Sequence, residues 1–229
     1  MINFADKVIA FNKKLRISTP LPPGISSMNP FKNKKAIKAS TQFYQKFYSD
    51  NNERYFIAGI NPGRFGAGVT GIPFTDTKRL QSHCGVSFTS IETHEPSSVF
   101  VYEVIDAFGG PEKFYSKFYI NSICPLGFTV KTAKGKEINY NYYDNPELTI
   151  SVYPFILSTL RKQIALGLET SICFCLGTGK NFSFLQALNN KYGFFEKIIP
   201  LEHPRYVMQY KSNSKSIFIE KYQNSFKAI

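Results

Sequence analysis

Four short apolar runs, at residues 54–60, 118–123, 172–176 and 194–199, alternate with stretches that repeat apolar residues at helical spacing. This alternation constrains the fold more than any other feature. Strands separated by helices close most simply into a parallel sheet with helices on both faces. The helical stretches are 3–14, 36–48, 77–84, 97–108, 148–166, 180–191 and 213–226, and Gly109-Gly110-Pro111 stops the fourth of them. Residues 18–30, with four prolines and one glycine, read as an extended loop, and 129–145 as a loop or exposed hairpin. The chain has 229 residues, of which 43% are apolar, enough for a substantial core. With no repeat or low-complexity tract, the expectation is one domain spanning residues 1–229. It is a single-domain three-layer α/β/α unit around a central, mostly parallel four-stranded sheet.

The first strand, ending in Tyr55-Phe56-Ile57-Ala58, runs into GINPGRFGAGVTGIPF at residues 59–74. Closely spaced glycines let the backbone bend and lie against a flat ligand. In an open α/β sheet, ligands bind beyond the carboxyl ends of the strands. Asn61, an amide that can hold a water, and Phe74, a ring that can stack, therefore fall where a site belongs. Polar groups follow two other strand ends, at Asn121 and His203. Parallel strands would gather all of these on one edge of the sheet. Taken singly, Asn61 could cap its own turn, Asn121 satisfy backbone groups, and Phe74 be one more core ring. Together they can surround a planar ring, with Phe74 stacking, Asn121 reading an edge, His203 at a carbonyl oxygen and Asn61 beside a water.

Lys and Arg number 28 against 16 Asp and Glu, a net charge of +12. A partner with repeated negative charge, most often nucleic acid, suits that balance. An anionic membrane is disfavoured, because no continuous basic amphipathic helix is present. Four cysteines (Cys84, Cys124, Cys173 and Cys175) form no CxxC pair, and the three histidines supply no ligand spacing, so no metal is expected. Free thiols and the lack of an apolar leader or membrane-length run predict a cytoplasmic protein. No GxGxxG or GxxxxGK[ST] marks a phosphate loop, and the histidine–glutamate pair with PCxxC of a zinc deaminase is missing.

The motif at 59–74, NSICPL (121–126), GTGK (177–180) and HPRYVMQY (203–210) occur in the order found in uracil-DNA glycosylases. LPPGISSMNPF (21–31) and SSVFVYEVIDAFGGPEKFYSKFYIN (97–121) extend the likeness across roughly residues 20–210. The chain most resembles the single-strand-selective monofunctional branch and its bacterial relatives. That resemblance implies a metal-free, cofactor-free monofunctional glycosylase acting as a monomer on single- or double-stranded DNA that contains uracil or modified uracil. It implies Asn61 as the water-positioning residue, Gly63 as a small residue on the pocket floor and Phe74 as the stacking ring. His203 is implied near the uracil carbonyl. The base-reading amide of vertebrate members falls here on Ser122, with Asn121 one residue earlier, so either residue can fill that role. Residues 204–210 are implied as a loop entering the DNA. Within it Pro204 leads, and Arg205 or Tyr206 is the wedge; Arg64 joins the cations that contact DNA.

The chemistry follows from these parts. The target nucleotide must be extruded from the duplex, and a wedge fills the gap it leaves. Glycosidic cleavage leaves positive charge on the sugar and negative charge on the base, so a donor aimed at the departing oxygen lowers the barrier. An amide donating to O4 and accepting from N3–H would reject cytosine, which reverses both groups. Room left at Gly63 beside C5 predicts that 5-hydroxymethyluracil is processed as well as uracil, with deaminated purines a further option. A catalytically lapsed nucleic-acid-binding module is the alternative.

Overall fold

The computed structural model describes residues 2–89 and 91–229. In chain order the elements are α1 (Phe4–Lys13), β1 (Ile25–Met28), α2 (Lys34–Phe47), β2 (Arg54–Gly59), α3 (Ala67–Thr70) and α4 (Thr77–Ser82). Next come α5 (Pro96–Phe108), α6 (Pro111–Lys117), β3 (Phe118–Ser122), β4 (Gly127–Lys131), β5 (Glu137–Tyr140) and α7 (Pro146–Ile164). The chain closes with β6 (Leu168–Leu176), α8 (Lys180–Tyr192), β7 (Lys197–Leu201), α9 (Pro204–Tyr210) and α10 (Lys215–Lys227).

Strands β2, β3, β6 and β7 form a four-stranded sheet in the order β3-β2-β6-β7. Every pairing in it is parallel, where the sequence suggested mostly parallel. All five residues of β3 are buried. Successive strand residues point to opposite faces, so layers must cover both sides of the sheet, as expected of a three-layer α/β/α unit. Gly59 pairs with Ser122, and Leu176 with Leu201, so the strands finish nearly level at one edge.

A second, antiparallel sheet of order β1-β4-β5 is a feature the sequence reading did not contain. The segment read as an extended loop at 18–30 holds β1, and the exposed-hairpin alternative at 129–145 proves right, with β4 beginning two residues earlier. Ile25-Ser26-Ser27-Met28 has no alternating apolar pattern and sits among prolines, and it pairs only along β4. An edge strand of that composition leaves little local signal. Two boundaries also shift. Pro111 both follows the end of α5 and starts α6 from its first turn, where proline fits. Strand β7 runs through Pro200, which is tolerated because β7 is an edge strand of its sheet.

The core is dominated by rings. Phe43, Phe47, Tyr48 and Tyr115 pack at centroid separations of 5.0 to 6.1 Å. Into this cluster the first residue of β2 inserts a charge: Arg54 is 0% exposed. Its Nε donates to the Tyr115 carbonyl (2.7 Å), one terminal nitrogen to the Asn52 carbonyl (2.9 Å) and the other to Asp50 Oδ2 (2.8 Å). The guanidinium carbon lies 4.8 Å from the ring centroids of both Phe4 and Tyr48. Arg54→Ala leaves Asp50 and two carbonyls without their donor, so a loss of about 3 kcal/mol is expected in denaturant unfolding. Because Arg54 opens β2 at the far end from the cleft described below, activity per folded molecule should survive.

Candidate active site

The level strand ends of β2, β3 and β7 carry Asn61, Ser122 and His203 to one edge of the parallel sheet. There they border a cleft of about 340 Å³ together with Gly63 and Phe74. Backbone bonds tie the segments: Ile123 N donates to the Gly59 carbonyl (2.9 Å), Cys124 N to Ile60 (3.1 Å) and Gly177 N to Leu201 (2.7 Å).

Asn61 is clamped by the end of the β4–β5 hairpin. Its Oδ1 accepts from Tyr142 N (3.1 Å) and its Nδ2 donates to the Tyr140 carbonyl (3.2 Å). One backbone partner is a donor and the other an acceptor, so the amide can point only one way. The oxygen keeps a second lone pair for another ligand.

Phe74 has φ of 51°, the sole non-glycine residue in the left-handed region among the described residues. Such a backbone is costly for a bulky residue and persists where neighbours over-determine it. They do so here: Thr70 Oγ1 donates to the Thr75 carbonyl (2.7 Å), and Thr75 Oγ1 bonds the buried Tyr102 hydroxyl (3.1 Å). The ring lies over the end of β2, where a Cβ on Gly59 would stand 2.9 Å from it. Only glycine permits that approach. The His203 ring is 5.7 Å away, tilted by 51°.

His203 caps α9. Its Nδ1 accepts from Arg205 N (3.1 Å), which places the neutral ring's proton on Nε2. Burial, and then the Arg205 charge, push its pKa down to about 4. At neutral pH it is therefore an uncharged N–H donor.

Sequence reasoning left Asn121 and Ser122 open, and the two face different ways. The Asn121 amide donates to the Tyr119 hydroxyl (2.6 Å) and accepts from Ser122 N (2.8 Å). It borders a separate small recess with Tyr44 and Pro125. Ser122 lines the cleft, so a hydroxyl stands where an amide was expected, and the argument for cytosine rejection through an Asn121 amide does not transfer.

Residues 204–210 are a helix and not a loop. Pro204 is preorganised for the first helical position and the His203 ring supplies the cap. Pro204 is buried beneath the rim, while Arg205 and Tyr206 are exposed on it. The Tyr210 ring, one turn on, lies 5.6 Å from that of Tyr206, tilted by 45°. Arg64 lies outside the cleft lining, its guanidinium 4.4 Å from the Phe65 ring.

The floor at Gly63 is not open as expected. A Cβ there would come within 2.7 Å of Glu95 Oε1 and 3.5 Å of Asn139 Nδ2. Glu95 and Asn139 both line the cleft and were missed, since neither belongs to a glycine motif or a strand end. Among the described residues, no three His, Cys, Asp or Glu side chains cluster as metal ligands, and no helix is long and apolar enough to cross a membrane. All four cysteines are free and buried.

A sequence model of the uracil DNA glycosylase superfamily matches residues 45–227. The crystal structure of wild-type SMUG2 from Pedobacter heparinus is similar over 100% of this chain and 98% of its own, at 56% identity and a TM-score of 0.97. No curated protein matches.

Proposed function

Since the chain belongs to the uracil DNA glycosylase superfamily, DNA glycosylases that hydrolyse N-glycosyl bonds, we propose that it is a monofunctional enzyme removing uracil from DNA. It acts as a monomer in the cytoplasm at the first step of base-excision repair, with residues 1–229 working as one domain. The observation that carries this reading is the convergence of Asn61, Phe74, Ser122 and His203 on one cleft.

The extruded base stacks on Phe74. Arg205 or Tyr206, on the exposed rim of α9, fills the vacancy in the duplex. As the glycosidic bond lengthens, negative charge gathers on the base. The neutral His203 Nε2–H and the Arg205 charge beside it interact more strongly with that anion than with the uncharged base. The free lone pair of Asn61 Oδ1 orients the water that attacks the sugar cation. Its partner bonds to Tyr140 and Tyr142 remove the rotation that would spoil the aim.

The Ser122 hydroxyl reads the base edge. A hydroxyl rotates to donate or accept, so it imposes less on the edge than an amide does. Deaminated purines, which share the carbonyl and N–H edge of uracil, fit the same reader.

Single- and double-stranded oligonucleotides containing uracil, hydroxymethyluracil, xanthine or hypoxanthine provide the test. Uracil strands should become alkali-labile after incubation and remain intact before alkali, because among the described residues no lysine lines the cleft as a Schiff-base nucleophile. Absence of uracil release in both strand contexts would overturn the assignment.

A further inference from the structure

Helices α1 and α7, with the linker that follows α1, enclose a groove of about 600 Å³, larger than the cleft of about 340 Å³. Its floor is apolar: Phe11, Leu15 and Leu166 are buried and Phe155 is half-buried. Its rim is cationic. Lys7 and Lys14 come from α1 and its C-terminal cap, Arg16 from the linker, and Lys162 from α7. No carboxylate lines the groove, and among the described residues none of these four cations pairs with one. The walls are held by the protein's own bonds. Lys7 Nζ donates to the Leu166 carbonyl (3.2 Å), Thr19 Oγ1 to the Ser151 carbonyl (2.7 Å) and Asn29 Nδ2 to the Leu15 carbonyl (2.8 Å). Unpaired like charges beside apolar surface repel one another, a cost that a ligand of opposite charge removes.

We propose that this groove docks an extended acidic segment of a partner protein, seating an apolar side chain on the floor between carboxylates. The volume falls within the roughly 300–1,000 Å³ of ligand sites, and complementary charge supplies the register. The cations stand on both walls, so several spaced carboxylates match them where a single anionic headgroup would not. A nucleic-acid strand is a poorer match. Its phosphates would meet the cations, but its bases need open rings to stack on, and Phe11 and Phe155 are sunk in the floor. A second copy of this chain is poorer still, since it carries a net charge of +12 and no two adjacent acidic residues.

The groove shares no lining residue with the cleft. Leu166 stands just before β6, whereas the cleft lies beyond the opposite, carboxyl ends of the parallel strands. A docked segment therefore leaves the cleft open. It tethers the enzyme to its partner without competing for the group that the cleft holds, and exposed charges on the rim make the attachment salt-sensitive.

The experiment is fluorescence anisotropy with an array of short labelled peptides, built of Asp and Glu with one Phe, Leu or Ile at each position in turn. The best of them should bind the full chain with a Kd below about 100 μM at low salt. Replacing its apolar residue by Ser, or its acids by Asn and Gln, should each weaken it about tenfold. The exposed pair Lys14→Glu with Arg16→Glu should do the same from the protein side. Ser158→Trp, on the exposed α7 wall, fills the groove without changing its charge and should also abolish binding. Thermal unfolding of each variant verifies that it is folded, and uracil release should be unchanged in both and in the presence of saturating peptide. Absence of binding by every peptide overturns the proposal, as does equal binding by the Ser peptide or by the Ser158→Trp protein. A uracil-free single-stranded oligonucleotide that displaces the peptide, and that loses affinity in the same variants, gives the groove to nucleic acid and also overturns it. Each of these binding results stands whether or not the protein releases uracil, so the glycosylase reading is tested separately.

Discussion

Asn61→Ala is expected to slow single-turnover uracil release by about a thousandfold, with DNA binding much less affected. The amide does two things that alanine cannot. In the proposed mechanism it offers an oxygen lone pair to the attacking water, and in the structure it joins the loop after β2 to the hairpin through Tyr140 and Tyr142. Asn61→Asp distinguishes these. It keeps the acceptor facing Tyr142 N but sets a second oxygen against the Tyr140 carbonyl, so it should not rescue the rate. Release rates measured beside fluorescence-anisotropy binding report the two effects separately. A folded Asn61→Ala protein that retained the wild-type rate would remove the water-positioning role.

His203→Ala should cost about a hundredfold to a thousandfold in the release rate, the range seen when one preorganised donor to a developing anion is lost. The pH dependence sharpens the assignment. With its pKa pushed down to about 4 by burial and Arg205, His203 stays neutral through the range in which an ordinary histidine would titrate. Lowering the pH from 8 to about 5 should therefore leave His203 neutral, and a change of rate near pH 7 that Glu95→Gln removes belongs to Glu95, whose pKa burial and then the Asp76 charge raise to about 7. Only as pH falls towards 4 does a second proton reach Nδ1, where it must displace the bond from Arg205 N. A histidine-like inflection near pH 6.5 persisting in Glu95→Gln would contradict a neutral donor.

The parallel sheet could be read because its strands are buried on both faces and appear as apolar runs. The convergence of Asn61, Phe74 and His203 could be read because parallel strands end together. Ser122 against Asn121 could not. Neighbouring strand residues point to opposite faces, and which one meets the cleft depends on register, which a lone pair of polar residues does not encode. Helix α9 was hidden for a different reason. His-Pro reads as a loop boundary unless the imidazole is known to cap the helix that follows. Glu95 lies beyond local pattern altogether, because its contact with Gly63 joins segments about thirty residues apart in the chain.

The backward-turned peptide at Phe74 holds roughly 1–2 kcal/mol that folding has no use for. In the proposed mechanism that position is kept by the base the ring stacks on in turnover, in addition to its packing against the core. Lineages bred for heat tolerance alone, with no demand on catalysis, should abandon the phenylalanine early. Asparagine, which accepts this twist readily, is the successor to look for.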